Sequence, residues 1–380
     1  MRGLALAVSL VVLAGCSSAG PTSVSGVARE LRQRGLDPTS VVVPFEVSDE
    51  MRAWVHSKVP DSGSPEQRLE QLLNAIIDPA RLGLTYEGGK TSTARQAFAS
   101  HKANCLGFTS LFVGMARELG IPAFYLAVND VERFERDGDL MVISGHVSAG
   151  FGVSGDKIKI LEFVDAPKVE YRHIHRLSDV TAIALYHSNH GAELLRAGRT
   201  DEALPWLRKA TEIDPELSDA WINFGVGRRR NGDLDGAEAA YRRALEVNPE
   251  AASAYQNLAS VLGLRGKKKE ADELMSLASR ASAQNPFSYL ALGDLSFAQG
   301  HLDEARRFYR RAMWLNREDA EPYAALGLTA LADGDRNEAK KWLRKAVAKD
   351  QAKNRKNERV QRLESRLAEG PAKERAKIIG

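Results

Sequence analysis

From residue 184 to about 352, small and apolar positions recur at a fixed step of 34. Ala203, Ala237, Ala271, Ala305 and Ala339 form one column, and Ala210, Ala244, Ala278, Ala312 and Ala346 a second. Gly191, Gly225, Ala259, Gly293 and Gly327 form a third, with bulk beside them at Leu207, Tyr241, Met275, Tyr309 and Leu343. Small columns let two helices approach closely. A glycine column at 198, 232, 266, 300 and 334 falls where a first helix must turn into a second, which suits the left-handed backbone glycine accepts. The pattern predicts five helix-turn-helix units, each unable to bury its apolar face alone and therefore stacked on its neighbours. The polar helical stretch 357–369 is expected to cap the last unit, and the basic end from Pro371 to be solvated.

The first half has a different rhythm. Leu69, Leu72, Leu73, Ile76 and Ile77 share one face of a helix predicted over 65–77. Gly88-Gly89 marks a turn, and Ser92 or Thr93 can cap a short helix after it. Leu111, Phe112, Met115, Ala116 and Leu119 keep helical spacing in a helix that opens at Asn104-Cys105 and stops at Gly120 and Pro122. Strands are expected over 124–130, 140–151 and 157–165. A tight turn at Gly155-Asp156 would pair residues whose numbers sum to 311, or to 309 if it slips back by one. His146 would then face Asp165 or Phe163, with Asp165 its near neighbour either way.

Cysteine count sharpens this picture. The chain holds two cysteines. Cys16 follows an apolar run, Leu4 to Ala14, preceded by Arg2, which has the form of an export signal and is short for a bilayer span. Its end, Leu13-Ala14-Gly15-Cys16, resembles the lipobox of bacterial lipoproteins. That resemblance implies a signal peptide over 1–15, lipidation of Cys16, and, with Ser17 following, the periplasmic face of the outer membrane in the bacterial cell envelope. Residues 16–43 are then a lipid-anchored linker and lead-in. The mature chain would keep one thiol, Cys105, and an internal disulfide is excluded. Either a buried inert thiol or a reactive one explains it. A helix start favours a thiolate, and a nearby imidazolium favours it further. Net charge is only +3 with the signs interspersed, which gives no case for nucleic-acid binding.

"WINFGVGRRRNGDLDGAEAAYRRALEVNP" (residues 221–249) resembles the tetratricopeptide repeat (TPR), through its W-x2-aromatic-G, its A-x3-Y and its closing proline. The resemblance implies a right-handed all-α TPR solenoid over 184–352, whose concave face takes a protein or peptide ligand. Residues 353–380 follow as capping helix and basic tail. Arg228, Arg229 and Arg230 suit either an acidic partner or a solvated helix end.

"NCLGFTSLFVGMARELGIPAFYLAV", "GHVSAGF" and "LEFVD" together resemble the transglutaminase-like superfamily, whose papain-like domains carry Cys, His and Asp in this chain order. The resemblance implies an α+β transglutaminase-like domain with an antiparallel sheet over 44–183. Cys105 would be the nucleophile, His146 the general base and acid, and Asp165 the orienting carboxylate of a catalytic triad. Amide or peptide hydrolysis and cross-linking through a thioester both stay open. Gln96 is a candidate oxyanion partner by position, against an ordinary exposed helical glutamine. Asp165 is followed by Ala166, with proline one place later at Pro167. That departure supports the alternative, a catalytically inactive transglutaminase-like and TPR scaffold for an envelope protein complex. Neither reading calls for a cofactor. His173 with His175, and His187 with His190, are spaced as metal ligands can be, but packing accounts better for His187, which replaces the aromatic of Trp221, Tyr255, Tyr289 and Tyr323.

Overall fold

The computed structural model describes residues 8–12, 24–137, 140–153, 157–161, 174–281, 286–298, 300–352 and 357–368. The chain divides into two compact units, residues 1–133 with 143–233, and residues 134–142 with 234–380.

In the first unit, helices α1 (Val24–Gln33), α2 (Asp49–Lys58), α3 (Pro65–Ile77), α4 (Ala94–Ser100) and α5 (Cys105–Glu118) precede most of the sheet. Val27 and Leu31 of α1 are fully buried in the same core as α5, so the lead-in from Val24 onward is part of the folded body. Ser64 and Gln67 close a capping box at α3, and Thr93 and Gln96 close another at α4. Every residue of α5 from Leu106 to Ala116 is buried. A helix apolar on all sides belongs at the centre of a domain, with other elements around it.

Strands β1 (Val8–Val12), β4 (Ala123–Asp137), β5 (Leu140–Val153), β6 (Lys157–Leu161) and β7 (Ile174–Leu177) form one sheet in the order β1-β6-β5-β4-β7. β2 (Thr85–Tyr86) and β3 (Lys102–Ala103) pair separately. Val147, Ala149 and Phe151 join the α5 core from alternate positions of β5, as a pleated strand requires. The β5–β6 register differs from both expected ones. Val153 pairs with Lys157 and Ala149 with Leu161, a constant sum of 310. The expected turn at Gly155-Asp156 itself lies outside the described residues.

Helix α6 (Asp179–Arg196) runs through the position where the repeats were expected to begin. Val180, Ala182, Ile183, Ala184 and Tyr186 lie in the α5 core, so the first helix of the first repeat also closes the domain before it. It packs on α7 (Thr200–Ile213), and α7 on α8 (Ser218–Arg230). Arg228 bonds Asp233 and lies 4.8 Å over the Phe224 ring, and Arg230 bonds the Leu195 carbonyl. Arg228 thus ties its own repeat internally, and Arg230 ties that repeat to the one before it.

The second unit continues the series with α9 (Leu234–Val247), α10 (Ala252–Leu264), α11 (Lys268–Ala281), α12 (Pro286–Ala298), α13 (Leu302–Leu315), α14 (Ala320–Ala332) and α15 (Arg336–Ala352). The five turn glycines all have φ between +74° and +85°. A final helix, α16 (Glu358–Ala368), buries Val360 and Leu363 against α14. Its Arg359 makes a two-pronged pair with Asp294 at 2.7 Å, and Tyr309 also donates to Asp294 at 2.7 Å. Among the described residues no helix is long and apolar enough to cross a membrane.

Candidate functional site

Cys105 is the first residue of α5 and is half-buried. Asn104 is the N-cap, and its side-chain oxygen accepts from the Gly107 amide at 2.9 Å. The cap satisfies one of the first-turn amides, and the helix end carries a positive partial charge that stabilises an anion beside it. Nothing about Cys105 is typical of a core cysteine, since the fully buried part of the helix begins one residue later.

His146 lies within β5; its side chain is outside the described residues, as are Asp165 and Cys16 in full. The backbone nevertheless brings two of the three predicted segments together. Thr109, one helical turn after Cys105, donates its hydroxyl to the carbonyl of Val147, the residue after His146, at 3.2 Å. This buried bond holds the first turns of α5 against the His146 stretch of β5. At the next residue of α5, Tyr125 of β4 donates to Ser110 at 3.0 Å, and burial holds its phenol well above the ordinary range.

Gln96 has a local explanation. Its amide oxygen accepts from the Thr93 amide at 2.9 Å, closing the α4 capping box. His187 is buried, and its Nε2 accepts from the Val42 amide at 3.2 Å. Burial pushes its pKa down to about 4, and the lone pair that a second proton would need is already engaged. His190 stacks on Tyr186 and meets the Trp206 ring edge-on, with its pKa also lowered by burial. Among the described residues no three His, Cys, Asp or Glu side chains converge as metal ligands would.

Both halves match known families. The transglutaminase-like superfamily core matches residues 52–155, and tetratricopeptide repeat families match 184–209, 223–286, 286–311 and 320–351. The chain is a transglutaminase-like domain followed by tetratricopeptide repeats. Solved structures similar to it cover less than half of its length. One is pilF of Pseudomonas aeruginosa, at 22% identity over 49% of this chain and 82% of that one, with a TM-score of 0.42. MamA aligns at 22% identity over 43% of this chain and 96% of that one, TM-score 0.37. YrrB, described as a TPR protein with an unusual peptide-binding site, aligns at 19% identity over 48% and 92%, TM-score 0.35. At these scores nothing about partners passes from them to this chain. No curated protein matches it.

Two residues of the transglutaminase-like and TPR halves escaped the sequence reading. The Asn104 amide donates to the Thr91 hydroxyl at 2.9 Å, and the Thr91 backbone amide donates to the Glu193 carboxylate at 2.5 Å. Glu193 belongs to α6, the first helix of the first repeat. Burial raises its pKa, against the opposing pull of Thr91, Arg196 and Lys90. A signal for Glu193 was available. Stepping by 34 from 193 gives Gly227, Val261, Leu295 and Thr329, so the carboxylate breaks a small-to-apolar column.

Proposed function

We propose that the transglutaminase-like domain is a cysteine acyl-transfer enzyme acting on amide or peptide bonds, and that the repeats recruit its protein or peptide substrate. The observation that carries the reading is Cys105 at the capped start of α5, half-buried, with the Thr109–Val147 bond tying that end of the helix to the strand of His146. The Cys105 thiolate adds to a substrate carbonyl carbon. His146 passes the thiol's proton to the leaving nitrogen, the C–N bond breaks, and a thioester remains. Water then releases an acid, or an amine releases a new amide, and the thiolate is restored. Asp165 holds the imidazole in the productive tautomer. In the same reading cleavage before Cys16 removes β1, leaves β6 as the edge of the sheet, and makes Cys16 the lipidated N-terminus of the mature protein, held at the periplasmic face of the outer membrane.

The test requires no substrate. The rate of Cys105 alkylation is measured against pH in the mature chain and in His146→Ala. The expected result is fast alkylation well below the ordinary thiol pKa of ~8.5, lost in the variant. Alkylation that rises only near that ordinary value and ignores His146 would sink catalysis and favour the inactive scaffold.

A further inference from the structure

Helix α6 is fastened to α5 at both ends. At the far end of α5, Arg117 makes a two-pronged pair with Asp179 at 2.8 and 2.9 Å, its side chain 12% and that of Asp179 6% exposed. At the near end, Glu193, Thr91 and Asn104 form a relay of 2.5 and 2.9 Å that finishes on the Gly107 amide. Asp179 and Glu193 are 14 positions apart on α6, and Asn104 and Arg117 are 13 apart around α5. At 1.5 Å per residue these spans match at about 20 Å, so the two helices run in opposite directions with their ends in register. The arginine pair is structural anchorage. The relay does something the anchorage does not: it determines where the N-cap side chain of the Cys105 helix points.

We infer that Glu193 is a positioning residue for Cys105, acting from the first repeat through Thr91 and Asn104 to set the nucleophilicity of the thiol. This rests on the acyl-transfer reading above. Asn104 can cap only while its side-chain oxygen faces the Gly107 amide, and its amide group must then face a hydrogen-bond acceptor on the other side. Thr91, itself 4% exposed, supplies that acceptor in its hydroxyl. Thr91 is in turn held by the one acceptor its backbone amide is given, the Glu193 carboxylate. With the cap directed at Gly107, the start of α5 stays ordered and its positive end lies beside the sulfur, where it favours negative charge. A loosened cap lets the helix end fray and weakens that field. Glu193 faces Lys90, Arg196 and, at 4.0 Å, His190, which set the charge around it. The repeat domain thereby does more than recruit: the helix that begins the solenoid also holds the nucleophile's cap in place.

The variants are Glu193→Ala, Thr91→Val and Thr91→Ser in the full chain. The readouts are the pH profile of Cys105 alkylation and the unfolding midpoint. Glu193→Ala and Thr91→Val are expected to raise the apparent thiol pKa by about half a unit to one unit, a three- to tenfold loss of thiolate at pH values below the wild-type thiol pKa. Thr91→Ser, which keeps the hydroxyl, is expected to retain the wild-type profile. Should Glu193→Ala not fold, Glu193→Met, which fills the same space without the acceptor, takes its place beside Thr91→Val. Profiles of Glu193→Ala and Thr91→Val that overlay an activated wild type overturn this inference and leave the acyl-transfer reading standing. So does a Thr91→Ser shift as large as that of Thr91→Val. A wild-type thiol that titrates near the ordinary value overturns both.

Discussion

Gly114 sits where α5 passes the loop before α2, and a Cβ there would overlap the Phe45 carbonyl oxygen and press on Val47 at 3.1 Å. Backbone cannot step aside as the end of a flexible side chain can, so Gly114→Ala is expected to cost about 1–3 kcal/mol. Gly152 has nothing within 4 Å of its Cβ position, and Gly152→Ala is expected to be neutral or mildly stabilising. Urea unfolding of the two variants side by side decides the matter. Equal midpoints would mean that α5 can shift away from Phe45 without loss. The same helix makes a similar demand at Gly107, whose Cβ would meet the buried Ser92 hydroxyl. The glycines of "NCLGFTSLFVG" therefore record how closely other backbone approaches the helix that carries Cys105.

At the scale of elements, the link from α4 to α5 depends on His101, which ends α4 in the left-handed region at φ 56°. Its carbonyl accepts from the Thr85 amide at 2.9 Å and the Thr85 hydroxyl at 3.1 Å, starting the β2–β3 pair that leads into Asn104. A β-branched residue is disfavoured there, and glycine is not. His101→Val is expected to unfold at a lower temperature than His101→Gly, with about 1–2 kcal/mol between them. Thermal melts that coincide would show that the turn can relax into another conformation. The elements themselves were largely legible, because helical spacing, Ser and Thr caps and turn glycines act through near neighbours. The β5–β6 register was not legible, because a turn read locally does not fix which positions of two strands pair.

For the whole molecule, the seat of the first repeat on its neighbour responds to pH through His187. Its folded pKa of about 4 lies below the ordinary ~6.5, so the unfolded chain binds the proton more readily. The stability it contributes is complete above pH 6.5 and declines as pH falls toward 4, by up to about 1.4 kcal/mol per unit. His187→Gln, which has no proton to gain in that range, is expected to lose less stability than wild type on going from pH 7 to pH 4.5. His190, lowered in the same sense, and Glu193, raised by burial, are present in both proteins and cancel in the comparison. A difference in unfolding midpoint that stays constant across that range would refute the assignment.

The sequence by itself determined two things. The five-fold step of 34 dictated a helical array, since columns of small and large residues at one spacing have only one way to be buried together. The cap and periodicity around Asn104 and Cys105 dictated a thiol at a helix start. Only the tertiary structure decided that α6 serves two bodies of side chains at once, repeat and transglutaminase-like core. The physical reason is distance along the chain. Thr91 to Glu193 spans 102 positions and Arg117 to Asp179 spans 62. No local propensity encodes such bonds; they exist because burying α5 from all sides brings those groups within reach and then requires each to find a partner.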